Sequence, residues 1–220
     1  VDLHLNKRAV RVDAQKRIVA FADGAEESYD ALVSTIPLPE LVGMIPDAPA
    51  DVRAAAAKLR ALRQICVNLV VDRESLSSAN WFYVYDPDID VSRVSFPFSL
   101  SGERTGRTAI QAEIFLPQAA RPDESALLEK ALGDLGRLLR FPKSAILAAE
   151  ICAYPMSYVV SDLDRAAAVR RVRGWLRGRG IETTGLFGAW EYVWSDRAFA
   201  GGRALAQGLE TRPGRSAPQR

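Results

Sequence analysis

Apolar and polar residues alternate through Leu3, Leu5, Val10 and Val12 and again from Ile18 to Phe21, with breaks at Asp13 to Lys16 and at Asp23-Gly24. Period-two alternation cut by such turns predicts a meander of short antiparallel strands. The compact run from Tyr29 to Ile36, stopped by Pro37 and Pro39, predicts a buried strand that ends in a loop, and Leu41 with Val42 opens a short helical turn. Between Asp51 and Leu62, the residues Val52, Ala55, Ala56, Leu59 and Leu62 fall on one face of a predicted helix. Strands are expected at Gln64 to Val71, Trp81 to Tyr85, Arg93 to Phe98, Thr108 to Leu116 and Ala145 to Tyr154. Leucines at helical spacing predict a helix over Asp123 to Phe141. Five strand candidates broken by one helix imply an antiparallel sheet with helices packed on it. A helix is expected from Leu163 to Arg179, then a strand from Leu186 to Val193 and a helix from Asp196 to Gln207. The polar stretch 211–220 reads as a frayed tail.

Composition narrows the classes. Hydrophobic residues make up 48% and charged residues 25%, ordinary for a globular chain, so disorder is not expected. No apolar run approaches the roughly 18 residues of a transmembrane helix, and Val1 begins in patterned sequence without a signal-peptide layout, so the expected compartment is the cytoplasm. A net charge of +2 with both signs interspersed provides no field for nucleic acid. The arginines between Arg170 and Arg179 share a helix with Val169, Val172, Trp175 and Leu176, the pattern of a solvated face opposite a buried stripe. Cys66 and Cys152 stand apart in apolar runs without a CxxC, which predicts buried thiols. His4 is the only histidine, so a metal set or a Ser-His-Asp arrangement has no support. Asp86, Asp88 and Asp90 read as a turn, because the glycine and distal glutamate of a calcium loop are missing.

Candidate chemistry concentrates between Gly185 and Asp196. Glycines bracket an aromatic stretch, and Ser195 stands where an N-cap belongs, so a helix beginning there would aim its free N–H groups at an electron-rich ligand edge. Many α/β proteins share this pattern. Neither GxGxxG nor GxxxxGK[ST] occurs.

Four segments in order resemble the later part of the flavin amine oxidase superfamily, in the branch of UDP-galactopyranose mutase and protoporphyrinogen oxidase-like proteins. They are Ala9 to Asp13 with Asp23-Gly24 and Tyr29 to Pro37; Asn80 to Phe96; Ala153-Tyr154-Pro155; and Gly185 to Asp196. The resemblance implies an α+β chain: an antiparallel substrate-domain sheet with packed helices, plus the carboxy-terminal elements of a Rossmann-like FAD-binding domain whose GxGxxG half is missing. Residues 1–46 and 155–210 would belong to the FAD-binding part, 47–154 to the substrate-binding part, and 211–220 to a disordered tail. Cofactor-binding candidates are the Val10 backbone, Thr35 and Pro37 near the dinucleotide, and Gly188, Tyr192, Trp194, Ser195 and Asp196 toward the flavin. Substrate-binding candidates are Arg93, Tyr154 and Trp190.

Bland readings stand beside these. The aromatics suit a core or sheet face, Arg93 suits a salt bridge, and Glu113 and Glu150 alternate with apolar neighbours as solvent-facing positions. The resemblance implies an FAD-dependent oxidoreductase in which this chain provides the substrate side and holds FAD weakly or not at all by itself. Alternatives are a mutase acting on a nucleotide sugar and a non-catalytic module without FAD. The branch usually carries arginine where Leu186 stands and often histidine where Asn80 stands, which counts against a mutase. Expected partners are the amino-terminal FAD-binding half and a small-molecule substrate, with self-association through an exposed apolar face and neither nucleic acid nor a membrane span.

Overall fold

The computed structural model describes residues 2–102 and 105–210. In chain order they form β1 (Ala9–Asp13), β2 (Ile18–Phe21), β3 (Glu26–Ser28), β4 (Leu32–Ser34), α1 (Leu38–Gly43), α2 (Ala50–Ala57), β5 (Ala61–Val71), β6 (Trp81–Tyr83) and β7 (Arg93–Ser95). There follow α3 (Pro97–Ser101), β8 (Thr108–Pro117), α4 (Glu124–Leu139), β9 (Ile146–Val159), α5 (Arg165–Arg177), β10 (Ile181–Thr183), α6 (Gly185–Ala189) and α7 (Ser195–Glu210). The chain is α+β and divides into two compact units: residues 1–60 with 159–220, and residues 61–158. No helix among the described residues is long and apolar enough to cross a membrane.

In the first unit β1, β2 and β3 make the antiparallel meander, and β4 pairs in parallel with β10. Leu38, Leu41, Val42 and Ile45 around α1 and Val52 and Ala56 of α2 are buried. So are Ala168, Val172, Trp175 and Leu176, which recur at helical spacing along α5. Arginines of α5 and of the turn after it are tied down, with Arg171 exposed and Arg173 partly buried. Arg171 Nε donates to Asp51 at 2.6 Å, Arg173 donates to the Thr183 hydroxyl and carbonyl, and the Arg179 guanidinium lies 4.3 Å from the Trp175 ring centroid.

The second unit is a five-stranded sheet in the order β6-β7-β8-β5-β9. Ile65, Val67, Leu69 and Val71 of β5 and Ile110, Ala112 and Ile114 of β8 point to one face, where Ala131, Leu132 and Leu135 of α4 cover them. The Asp123 carboxylate caps α4 by accepting from the N–H groups of Ser125 and Ala126, and Arg140 ends it in the left-handed conformation. Asp134 is buried on this helix. Burial pushes its carboxyl up, but hydrogen bonds from Arg137 at 2.6 Å and Lys130 at 3.0 Å outweigh that and hold it below the ordinary value.

Several expectations need correction. The helix after Pro49 ends at Ala57 rather than Leu62, because Leu62 pairs with Pro117 in the sheet. Pro155 does not end its strand: β9 runs to Val159 at the sheet edge, where a missing N–H is tolerated. Pro97 begins a helical turn instead of continuing a strand. Leu3 and Leu5 lie outside regular structure and are exposed, and Val33 in β4 is exposed as well. The expected strand from Leu186 to Val193 is absent. Its first half is α6, and the parallel strand of this region is β10, just upstream. The aromatic spacing that suggested a strand belongs to a helical turn followed by an irregular crossing. The expected disordered tail lies outside the described residues.

Candidate functional site

In the first unit, β4 and β10 run side by side with the register Leu32↔Ile181, Val33↔Glu182 and Ser34↔Thr183, so their carboxyl ends open on the same side. In open α/β sheets, ligands sit outside the carboxyl ends of parallel strands. Thr35, exposed, and Pro37, half-buried, leave β4 there. Gly188 packs α6 onto that exit. A Cβ at Gly188 would meet the Ser34 carbonyl oxygen at 2.8 Å and the Thr35 Cα at 3.0 Å, so the glycine is required by backbone packing.

Trp190 then turns the chain at φ +54°. Its ring is 0% exposed and its carbonyl accepts from Arg165 at 2.9 Å. This corrects its assignment as a substrate contact: an indole with no exposed surface has no face left for a ligand. Tyr192 is 51% and Trp194 71% exposed. The Trp194 carbonyl accepts from Ala198 N–H at 2.9 Å, so Trp194 and not Ser195 occupies the capping position of α7; Ser195 and Asp196 form its exposed first turn. Val10 falls at a register shift between Ala9 and Arg11 on β1, the outer strand of the meander. The ladder is irregular at Val10, and its side chain is exposed.

The second unit presents the sheet face opposite its core. Register sets two rows across it: Tyr83, Arg93, Glu113, Cys66, and Trp81, Ser95, Gln111, Asn68. Glu113 is 2% exposed, which corrects its reading as solvent-facing. Its Oε1 accepts from the Arg93 guanidinium, while its Oε2 and the Arg93 Nε have no hydrogen-bond partner. The carboxylate raises the affinity of Arg93 for its proton and neutralises its charge. Tyr154 on β9 is half-exposed. Burial, with the nearby Glu113 carboxylate, pushes the Cys66 thiol up; Cys152 is only half-buried. Asp86 closes a turn by accepting from the Asp88 N–H. Among the described residues no group of His, Cys, Asp and Glu could hold a metal ion.

Residues 1–193 match the family model described as flavin containing amine oxidoreductase. The chain belongs to this family. No curated protein matches it. Among solved structures it is similar to reduced UDP-galactopyranose mutase, with a TM-score of 0.83 at 20% identity over 94% of this chain and 46% of the other. A protein described as a protoporphyrinogen oxidase, from Exiguobacterium sp. 255-15, aligns with a TM-score of 0.70 at 19% identity, over 88% and 43% of the two chains. A fatty acid isomerase from P. acnes that produces CLA aligns at 0.70 with 17% identity over 93% and 47%. The chain thus spans less than half the length of each, and at such identities the likeness is one of fold.

Sequence reasoning missed the row Gln111, Asn68, Glu150. Its signal was present in the polar positions of β5 and β8 at period two, but the register that aligns them was not.

Proposed function

We propose that this chain serves the substrate side and the flavin-facing carboxy-terminal segment of an FAD-dependent oxidoreductase acting on a small molecule. The observation that carries the reading is the parallel pair β4 and β10, whose carboxyl ends lead into Thr35 and, through α6, into the Tyr192 to Asp196 segment of the same unit of a flavin-family chain. The residues present fit part of the cofactor. The Val10 backbone, at the register shift of β1, would meet the adenine edge, Thr35 and Pro37 would lie along the dinucleotide, and the exposed Tyr192 and Trp194 rings would offer flat apolar surface to the flavin. The first turn of α7 at Ser195 and Asp196 would offer its N–H groups to an electron-rich edge of the flavin. Bound FAD would supply hydride acceptance, which no side chain can. The unit of residues 61–158 would bind the substrate through Arg93, oriented by Glu113, and Tyr154. A dinucleotide-binding half would complete the cofactor site as partner.

A second reading, a mutase acting on a nucleotide sugar, is favoured by the exposure of Tyr154 and Tyr192. Against it stand Leu186 in place of the branch's arginine and an Arg93 already neutralised by Glu113.

The test is flavin retention. The gene product containing this chain is purified, given FAD and desalted, and its visible spectrum is recorded beside that of the 220 residues alone. Flavin bands in the longer product, reduced by Trp194→Ala and weak in the chain alone, are expected. A colourless longer product that takes up no FAD would overturn the reading.

A further inference from the structure

Cys66 and Cys152 are the only cysteines of the chain, far apart in sequence, and both are free thiols. They lie on β5 and β9, which are neighbours at one edge of the five-stranded sheet. Cys66 stands opposite Glu113 on the face away from the core. Cys152 reaches the same face, because Ile151 before it packs on the core and side chains alternate along a strand. The two strands run antiparallel. Val160 N–H donates to the Arg60 carbonyl at 2.8 Å beside one end of the pair, and Asp72 N–H donates to the Ala145 carbonyl at 2.8 Å beside the other. Between them Asn68 fixes the register: its Nδ2 lies 3.3 Å from Glu150 Oε1 and 3.9 Å from Cys152 Sγ. Stepping back one pleat from Asn68 to Cys66 moves the facing positions on β9 forward one pleat, from Glu150 and Cys152 to Cys152 and Tyr154. Cys66 therefore stands directly, or one pleat diagonally, across from Cys152.

Directly opposed residues on antiparallel strands are about 4.5–5.5 Å apart at Cα, inside the span of about 4.4–6.8 Å that disulfides bridge. A diagonal pair, at about 7–8 Å, needs a small slide of one strand. β9 can provide it. It is an edge strand held in the sheet by β5 alone, and it takes more residues than β5 to pass between the two backbone bonds, so it is bulged. Each sulfur accepts from a side-chain amide, Cys66 from Gln64 at 3.4 Å and Cys152 from Asn68 at 3.9 Å. Burial, the Glu113 carboxylate and Cys152 itself push the Cys66 thiol up, so the two sulfurs lie within reach of each other's charge. Their exposure differs in a useful way. Half-buried Cys152 can meet a small oxidant, whereas buried Cys66 meets only its neighbours. An accessible thiol beside an enclosed one is the arrangement of an attacking and a resolving cysteine.

We propose that Cys66 and Cys152 form a reversible disulfide between β5 and β9, made by hydrogen peroxide and undone by small thiols. The Cys152 thiolate attacks one peroxide oxygen. An S–O bond forms, the O–O bond breaks, the leaving hydroxide takes the thiol proton as water, and Cys152 becomes a sulfenic acid. The Cys66 sulfur then attacks the Cys152 sulfur. The S–S bond forms, the S–O bond breaks, and hydroxide leaves with the Cys66 proton as a second water. The two sulfurs together lose two electrons, and the peroxide oxygens gain them. In the reverse direction two molecules of a small thiol such as glutathione become their disulfide as the pair is reduced. The inference goes beyond the flavin reading and does not rest on it, because both cysteines lie within residues 61–158.

The test uses the full 220-residue chain. After one equivalent of hydrogen peroxide at pH 8, non-reducing peptide mass spectrometry should find the Cys66 and Cys152 peptides joined within a monomeric chain, with the loss of two hydrogens. Dithiothreitol should separate them. In Cys66→Ala the same treatment should leave Cys152 as a sulfenic acid that dimedone traps, and in Cys152→Ala the Cys66 thiol should survive. Circular dichroism checks the fold of each variant. The parent chain also gives a measure that needs no variant. A bond favoured by the fold requires that the effective concentration of the two thiols, read from their equilibrium with glutathione and its disulfide, be about tenfold or more higher in the native chain than in urea. The proposal is overturned if peroxide carries Cys152 to the sulfinic acid while Cys66 stays a thiol, or if the joined peptides come from two chains. An effective concentration no higher in the native chain than in urea overturns it as well. Flavin retention by the longer product is a separate measurement, so the two readings fail separately.

Discussion

Replacing Gly188 by alanine tests the packing that shapes the opening beside β4. The added Cβ would stand 2.8 Å from the Ser34 carbonyl oxygen and 3.0 Å from the Thr35 Cα, the first about 0.6 Å inside the 3.4 Å limit of ordinary contact. Both are backbone atoms of β4 and its exit, and β4 is held in register with β10, so no side chain can swing aside. Overpacking of this kind costs about 1–3 kcal/mol. The gain from alanine over glycine in a helix, up to about 1 kcal/mol, offsets part of it. The net expectation is a loss of about 1–2 kcal/mol. Gly174→Ala, in the last turn of α5 with nothing within 4 Å of the new carbon, is the control and should stabilise by up to about 1 kcal/mol. Urea unfolding followed by tryptophan fluorescence reports this unit, since Trp175, Trp190 and Trp194 all belong to it and only Trp81 does not. If Gly188→Ala matches the parent, or gains stability like Gly174→Ala, the close approach of α6 to β4 is wrong.

Glu113→Ala leaves the Arg93 guanidinium without its partner. Because Arg93 is about a third exposed, the loss should be about 1–3 kcal/mol in urea, with part of it recovered in the Glu113→Ala, Arg93→Ala double variant; strictly additive losses would refute the pairing. Asp134→Asn should destabilise by roughly 1–2 kcal/mol at neutral pH. The folded carboxyl of Asp134 titrates below its unfolded value, so its contribution is present above about pH 4 and is lost as pH falls through the folded pKa. Parent and variant should therefore converge in acid unfolding below that point, and a constant gap down to low pH would contradict the assignment. With the thiol of Cys66 buried and pushed up, alkylation at pH 8 followed by peptide mass spectrometry should label Cys152 first and Cys66 only on unfolding. Equal rates would refute that burial.

Short-range pattern was sufficient for much of this chain. The meander, α4 and α5 follow from the spacing of apolar residues together with turn and capping chemistry, since period 2 and period 3.6 are properties of the local backbone. The flavin family was legible in four short segments and is the family that matches residues 1–193. Where the periods overlap, the local signal could not choose. Leu59 and Leu62 suit a helix or a strand, and only pairing with Pro117 placed Leu62 in β5. The stretch from Leu186 to Val193 had strand-like aromatics, yet Gly188 lets a helical turn approach β4 more closely than any side chain would allow, and that contact is invisible along the chain. Burial was decided in the same way. Trp190 looked like a ligand face and is enclosed, and Glu113 looked solvated and is buried beside Arg93. The sequence by itself determined which residues could be strand, helix or turn, and the family to which they belong. Tertiary structure alone decided which polar residues meet, because register, parallel pairing and enclosure depend on contacts between segments far apart in the chain. The row from Gln111 through Asn68 to Glu150 exists only once β8, β5 and β9 stand side by side.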